Sequence, residues 1–190
     1  MVDKVDKMNN PRLNDTVLAM IAFHGEQMDK SGVPYFYHPL RVFVRVSKSH
    51  TATVAECHAA LLHDVIEDTD VTFEILREMG YQEDVLVLLD LLTKREDESH
   101  GAYMLRIIKS NNLSAMRVKL ADLHDNSNLA RANACVDEKV RQEIISMISS
   151  RYIPTIAIVK AKIKQIGGDP DHIWSGDVDI ELEEIEHDDR

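Results

Sequence analysis

The 190-residue chain has few of the residues that interrupt helices or crosslink chains. It contains five prolines and seven glycines, and aromatic residues make up 5% of it. Its two cysteines, Cys57 and Cys135, are far apart and match no zinc-binding or redox spacing. We therefore expect two reduced, buried thiols and no disulfide framework. Because long stretches follow a helical pattern without proline or glycine, the sequence predicts an all-α fold.

Basic stripes and apolar leader segments are also missing. The net charge is −11, of which −7 falls between Asp177 and Arg190, and no basic stripe is interleaved with aromatic residues. Residues 1–11 are charged and lack the apolar centre of a signal peptide, and no apolar run approaches membrane-spanning length. We expect a cytoplasmic protein that binds neither nucleic acid nor membranes, and the sequence does not indicate an oligomeric state.

Length and composition fit one domain with its own core. Hydrophobic residues make up 44% of the chain, and neither a linker nor an internal repeat divides it. We predict a helical domain over residues 1–176 and an acidic tail over residues 177–190. Within the tail, Val178, Ile180 and Leu182 alternate with acidic residues, which leaves a short extended segment open as an alternative to an unstructured tail.

Capping residues and breakers set the expected helix bounds. Asn14 or Asp15 is expected to cap a first helix that ends near Asp29, and a second helix begins around 38–39. Thr51 or Thr53 starts a third helix. A long helix over residues 137–164 should kink or restart at its proline, residue 154.

The third helix carries the residues that could bind a metal. An apolar run, residues 59–62, is followed by His63-Asp64 and then by Glu67-Asp68. If the helix continues through Asp68, His63 and Glu67 stack one turn apart. Such acids are costly to bury without a counter-charge, so a divalent cation is their natural partner. Adjacent helical residues diverge by about 100°, so His63 and Asp64 can share one ion only near a helix end.

Two further positions could complete a metal site. His38 opens a helix directly after a Gly/Pro loop, and Asp122 follows an apolar run. Two imidazoles and two carboxylates suit Mn²⁺, Fe²⁺ or Mg²⁺ better than a closed zinc site. Taken alone, each residue also has a structural reading, since His38 could cap a helix and Asp122 could lie on the surface.

Four sequence blocks, in order, resemble the HD-domain phosphohydrolases, and within them the hydrolase domain of RelA/SpoT-type alarmone enzymes and the small alarmone hydrolases. The blocks are His24-Gly-Glu-Gln…Lys30-Ser-Gly-Val-Pro-Tyr-Phe-Tyr-His38-Pro, Ala60-Leu-Leu-His63-Asp64-Val-Ile-Glu67-Asp68-Thr, Leu91-Leu-Thr93-Lys94 and Val118-Lys-Leu-Ala-Asp122…Asn126. The resemblance implies an HD-type helical bundle that removes the 3′-pyrophosphate of (p)ppGpp, giving GDP or GTP and pyrophosphate. The partner would be a small nucleotide.

The resemblance also implies roles for individual residues. It makes four residues the metal ligands, normally of Mn²⁺, and two the catalytic carboxylates. It gives three others contacts with the nucleotide. By this resemblance the metal ligands are His38, His63, Asp64 and Asp122, and the catalytic carboxylates are Glu67 and Asp68. The nucleotide contacts are Lys30, Ser31 and Asn126.

Two departures from the family pattern keep other functions open. Asp29 stands where the family usually has a basic residue that helps to hold guanine nucleotides, and Asp125 follows Asp122 where the family tends to have an aromatic residue or His. The alternatives are an HD-domain phosphohydrolase of another nucleotide, such as a dNTP, a 3′-phosphorylated nucleotide or NADPH, and a non-catalytic nucleotide sensor.

Overall fold

Residues 10–176 and Val178 are described by the computed structural model. In this part of the chain the regular elements are helical, which confirms the predicted all-α class. The rest of the proposed tail, with Ile180 and Leu182, lies outside the described residues. The α-helices are α1 (Leu13–His24), α2 (Tyr37–Ser47), α3 (Val54–Leu62), α4 (Val65–Asp68), α5 (Phe73–Glu78), α6 (Glu83–Leu92), α7 (His100–Lys109), α8 (Leu113–Asn126), α9 (Leu129–Ala134), α10 (Glu138–Met147) and α11 (Ile153–Gln165).

Helix α3 forms the centre of the bundle. It packs against α1, α2, α6 and α8, and its last four residues, Ala59 to Leu62, are fully buried. A helix that is apolar on all sides is stable only when other helices surround it. Each buried leucine contributes about 1.5–3 kcal/mol relative to an exposed one. The end of α3 therefore provides a rigid base for the residues that follow it.

Helix α3 begins as the sequence predicts but ends earlier. Thr53 accepts the Glu56 amide at 3.1 Å, and the Glu56 carboxylate accepts the Thr53 amide at 2.8 Å, which is a capping box. The condition for stacking His63 on Glu67, a helix that continues through Asp68, is not met, because the chain turns at His63 and Asp64 before α4 begins. The turn brings these two neighbouring side chains towards one point, which a regular helix does not allow.

The first helix also differs from its predicted bounds. It begins at Leu13, and Arg12 rather than Asn14 or Asp15 occupies the capping position, because the Asp15 carboxylate is paired with Arg12 at 3.0 Å. It ends at His24 instead of near Asp29, since Gly25 adopts a φ of 50° that favours glycine and terminates the helix. The residues from Gly25 to the start of α2 form a loop beside the later helices.

The C-terminal helices form one continuous stretch with a local irregularity. A π-helical turn, Ile148–Tyr152, joins α10 to α11 and directly precedes Pro154, where the sequence predicts a kink. Glu138–Gln165 spans 28 residues and contains a window of mean hydropathy 1.2, so by length and composition it could cross a membrane. The expectation that no segment approaches membrane-spanning length is wrong for this stretch. Its buried side chains, Ile148, Val159 and Ile163, belong to the inner face, and α11 packs against α8.

Candidate metal centre

Three elements bring the four predicted metal ligands together. His38 lies in the first turn of α2, His63 and Asp64 follow α3, and Asp122 lies on α8. The Nε2 atom of His38 is 3.4 Å from Asp64 Oδ2 and 3.2 Å from Asp122 Oδ1. The Nε2 atom of His63 is 3.1 Å and 3.7 Å from the same two oxygens. Both imidazole Nε2 atoms therefore lie within 3.7 Å of both carboxylates, and Asp122 adjoins the group of His38, His63 and Asp64 through these two rings.

These separations fit the donor set of a single cation. Ligand atoms bonded to one ion at about 2.1 Å lie about 3.0 Å apart at right angles and about 3.4 Å apart at tetrahedral angles. The donor atoms of His38, His63 and Asp64 all lie within 4.8 Å of one another. Within the described residues, the buried His63 Nε2 has no hydrogen-bond partner, as expected for an atom that ligates a metal. The cluster therefore fits a divalent cation.

Both imidazoles are held in the tautomer that metal binding requires. His63 Nδ1 lies 2.9 Å from the Ala60 carbonyl oxygen, which can only accept, so Nδ1 donates its proton there. His38 Nδ1 donates in the same way to Asp125 Oδ2 at 2.8 Å. In the neutral ring, each Nε2 then carries the lone pair that a metal needs, and these outer hydrogen bonds fix the ring orientation.

The two carboxylate ligands are positioned by neighbouring side chains. Lys119, one turn before Asp122 on α8, donates to Asp122 Oδ2 at 2.6 Å, so Oδ1 faces the imidazoles. Asn126, one turn after it, donates to Asp122 Oδ1 at 2.6 Å. The Tyr35 hydroxyl donates to Asp64 Oδ2 at 2.6 Å. Asn126, predicted to contact the nucleotide, therefore contacts the predicted ligand Asp122 in this structure.

Asp125 does not add a further acid to the cluster. Its side chain is fully buried and points away from the four converging atoms, towards His38 Nδ1 and three guanidinium groups. Arg41 donates at 2.9 and 3.1 Å, Arg131 donates at 2.5 Å, and Arg45 lies 3.7 Å away. Burial disfavours its charge, but His38 and the arginines outweigh burial and lower the pKa of Asp125. Asp125 is thus an ionised support for His38.

The charges within the cluster oppose the effect of burial. Burial lowers the pKa of His63, but the Asp64 and Asp122 carboxylates outweigh it and raise the pKa to about 9. For Asp122, burial raises the pKa, whereas Lys119 and the two imidazoles hold it well below the usual range. A cation that binds here must displace the imidazole protons, so its affinity depends on pH.

The two predicted catalytic carboxylates line the adjoining cleft. Burial, the largest cause, and the nearby Asp64 charge raise the pKa values of both Glu67 and Asp68. Glu67 Oε2 also accepts the Lys94 amide at 3.0 Å, which ties α4 to the segment after α6. A carboxyl group whose pKa is raised above its usual value takes up a proton more readily and can still return it. Their position and pKa values fit the predicted role.

The cleft above the cluster has a volume of about 540 Å³, within the usual range for small-molecule sites. The predicted nucleotide contacts Lys30, Ser31 and Asn126 all line it. Lysine and arginine side chains from the segment after α6, from α8 and α9, and from the turn before α11 line the same cleft, namely Lys94, Lys119, Arg131 and Arg151. The structure therefore places an acidic cluster and several cations around one space.

Sequence reasoning missed three residues of this site. Lys119 lies three residues before the predicted ligand Asp122 on α8, so helical spacing could have pointed to it. Tyr35 lies in the loop before α2 and donates to Asp64, which is 29 residues away in sequence. Arg131 lies on α9, a helix that the sequence did not predict, and it reaches Asp29 across 102 residues of chain. No local pattern indicates that contact.

Sequence comparison finds curated relatives of this chain. A GTP pyrophosphokinase rsh of Brucella suis biovar 1 (strain 1330) is 32% identical over 156 residues, which cover 74% of this chain and 20% of the relative. A guanosine-3′,5′-bis(diphosphate) 3′-pyrophosphohydrolase of Aquifex aeolicus (strain VF5) is 33% identical over 112 residues, or 54% of this chain and 15% of the relative. The chain thus spans about a fifth or less of the length of these curated relatives. No protein-family model matches it.

A solved structure shares the fold. Its protein is described as "A metazoan ortholog of SpoT hydrolyzes ppGpp and plays a role in starvation responses". The two chains superpose with a TM-score of 0.58 at 23% identity, covering 83% of this chain and 96% of the other. The predicted HD-domain helical bundle is therefore confirmed. In its helical bundle and its sequence relatives, the chain is similar to the HD-domain hydrolases of the RelA/SpoT type.

Proposed function

We propose that this protein is a metal-dependent nucleotide pyrophosphohydrolase that removes the 3′-pyrophosphate of (p)ppGpp, giving GDP or GTP and pyrophosphate. The observation that carries the proposal is the convergence of His38, His63, Asp64 and Asp122 on the floor of a nucleotide-sized cleft. The Aquifex aeolicus relative is named for this activity. Other HD-type substrates remain defined alternatives, because Asp29 replaces the family's basic residue.

The chain's own residues divide the work of such a reaction. His38, His63, Asp64 and Asp122 would hold the divalent cation on which HD-domain hydrolases depend. A bound divalent cation supplies a water of lowered pKa and polarises a phosphoryl oxygen. Hydrolysis then needs groups that move protons beside the cleft.

Glu67 and Asp68 are the groups placed to move those protons. They line the cleft on α4, next to Asp64, and burial raises the pKa of both carboxyl groups, which makes them stronger proton acceptors. One can take a proton from the attacking water, and the other can give one to the leaving oxygen. Neither residue is needed to hold the cation, which is why we assign them this role.

The predicted substrate contacts lie on the side of the cleft formed by the loop after α1. Lys30 and Ser31 belong to this loop, and Asn126 lies on α8. A lysine ammonium offsets phosphate charge as a point charge, and a hydroxyl donates a hydrogen bond to a phosphate oxygen. We assign Lys30 and Ser31 to the nucleotide phosphates, and Asn126 both to Asp122 and to the nucleotide.

Manganese is the cation that we propose for the site. Two imidazoles and two carboxylates form a mixed N/O set without thiolates, and Cys57 and Cys135 are buried elsewhere. Carboxylates favour Mn²⁺ and Mg²⁺, imidazoles favour transition metals, and the mixture suits Mn²⁺ or Fe²⁺. Activity of the metal-stripped protein measured with Mn²⁺, Fe²⁺, Mg²⁺ and Zn²⁺ in turn tests this choice.

Pyrophosphate release from ppGpp in the presence of Mn²⁺ tests the function directly. We expect release with ppGpp and little or none with dNTPs, 3′-phosphorylated nucleotides or NADPH assayed in parallel. Turnover of one of those nucleotides without turnover of ppGpp would overturn the alarmone assignment and leave the HD chemistry in place. Binding of nucleotide without turnover of any of them would identify a sensor instead.

A further inference from the structure

Arg131 joins two parts of the cleft that are distant in sequence. Its Nη2 atom donates to Asp29 Oδ2 at 3.0 Å, and its Nη1 atom donates to Asp125 Oδ2 at 2.5 Å and to the Asp125 carbonyl oxygen at 3.2 Å. The side chain is 28% exposed and lines the cleft. One planar guanidinium group therefore bridges two carboxylates, which a lysine ammonium cannot do with the same geometry.

On one side of this bridge, Asp29 organises the loop that carries the predicted nucleotide contacts. Its Oδ1 atom accepts the backbone amides of Ser31 at 2.8 Å and Val33 at 3.1 Å, so it shapes the turn that displays Lys30 and Ser31. Both carboxylate oxygens of Asp29 are thus occupied, one by the turn and one by Arg131. Asp29 is a structural residue of the loop here, and the positive charge lies opposite it on Arg131.

On the other side, Asp125 supports a metal ligand. The Oδ2 atom that accepts from Arg131 also accepts from His38 Nδ1 at 2.8 Å. A movement of Arg131 therefore changes the hydrogen bond that orients the His38 ring. Outer partners of this kind commonly alter metal affinity by about 10–100-fold when they are removed.

We propose that Arg131 is a positioning residue that couples the Lys30/Ser31 loop to the metal centre through Asp29 and Asp125. The contacts run from the loop to Asp29, Arg131, Asp125 and His38 without interruption. Because coupling between two sites is reciprocal, order in the loop favours metal binding and a bound metal favours an ordered loop. The predicted effect on substrate binding rests on the proposed function, whereas the predicted effect on metal binding does not.

The test compares Arg131→Gln, Arg131→Lys, Asp29→Asn and the Arg131→Gln/Asp29→Asn double variant with the natural protein. Mn²⁺ affinity is measured without nucleotide, from the electron paramagnetic resonance signal of free Mn²⁺. We expect both Arg131 variants to bind Mn²⁺ about 10–100-fold more weakly. Asp29→Asn keeps the oxygen that accepts the turn amides but loses the charge that pairs with Arg131, so reciprocal coupling predicts a smaller loss of Mn²⁺ affinity, about threefold to fivefold.

The effect on substrate binding is measured as KM for the nucleotide that the protein hydrolyses in the panel described above. Asp29→Asn should raise KM by about threefold to fivefold, as expected for the loss of one partly exposed ion pair, and leave kcat nearly unchanged. In the Arg131→Gln background the same substitution should change KM no further, because the bridge is already lost. Additive effects on KM would overturn the coupling.

Controls separate positioning from general destabilisation. Arg77→Gln removes a surface ion pair with Glu83 far from the cleft, and it should alter neither Mn²⁺ affinity nor KM. Urea unfolding of each variant reports stability independently. Unchanged Mn²⁺ affinity in folded Arg131→Gln, or full recovery by Arg131→Lys, would overturn the proposal. If no nucleotide in the panel is hydrolysed, the proposed function fails, and the Mn²⁺ affinities alone decide the coupling.

Discussion

The buried carboxylate of Asp125 provides the sharpest stability prediction. The side chain is fully buried and accepts from His38 Nδ1 at 2.8 Å, from Arg41 at 2.9 and 3.1 Å and from Arg131 at 2.5 Å. Asp125→Asn keeps the shape but replaces one acceptor oxygen with an amide that donates. The new NH₂ group then faces donors only, and the arginines lose their counter-charge.

The cost follows from the contacts that are lost. A hydrogen bond to a charged group contributes about 1.5–3 kcal/mol, and removing one partner of a buried ion pair costs about 3–5 kcal/mol. The guanidinium groups share one carboxylate, so their losses do not add. We expect the free energy of unfolding of Asp125→Asn to fall by about 3–5 kcal/mol, a large part of the 5–15 kcal/mol typical of a domain.

Urea unfolding followed by far-UV circular dichroism measures this loss. The buffer contains EDTA, because a metal bound to the native state would add its own stabilisation. Asp90→Asn is the matched control, since Asp90 pairs with Arg95 at an exposed site and its loss should cost no more than about 1 kcal/mol. A loss below about 1 kcal/mol for Asp125→Asn, with an unchanged m-value, would refute the reasoning.

Three further predictions concern catalysis, pH and the segment after α6. Asp64→Ala should lose metal and activity together, whereas Asp68→Ala should retain metal and lose rate. Full activity of Asp68→Ala would refute the proton-transfer role of Asp68. Burial lowers the pKa of His58, so the free energy of unfolding should fall as the pH drops below about 6.5. Urea unfolding across that pH range should show a less steep fall for His58→Gln. Arg106→Gln should speed proteolysis of residues 93–98, because Arg106 donates to Glu98 and the Thr93 carbonyl; unchanged cleavage contradicts this.

Helix positions could be read from the sequence because they depend on local chemistry. Thr53 with Glu56 is a capping box in the sequence and in the structure, and Thr72 caps α5, which Gly80 follows at a φ of 94°. The turn at His63 could not be predicted in this way. The residues around it favour helix, and the contacts that support it, such as Tyr35 with Asp64, join distant parts of the chain.

The candidate ligands were identifiable from residue type and order, but their supports were not. The HD pair and its resemblance to a known family singled out all four ligands, and the structure brings their atoms together. Asp125 was noticed as one more acid near the site, yet it faces Arg41 and Arg131 instead of the metal centre. Whether an acid on a helix faces the metal centre or another group depends on tertiary contacts. For Asp125, the partner His38 is 87 residues away in sequence.

The net charge of −11 is a poor guide to the charge of the ligand. At the floor of the cleft, the two charges of a divalent cation would balance Asp64 and Asp122, and Lys119 is already paired with Asp122. Within the described residues, no ion pair occupies the side chains of three other cleft cations, which are Lys30, Lys94 and Arg151. Above the metal centre, these three cations face the two carboxylates Glu67 and Asp68, so the cleft holds positive groups that can pair with phosphates. A field set by nearby groups, within a Debye length of about 8 Å, governs what the cleft attracts, so an acidic protein can bind a polyphosphorylated nucleotide.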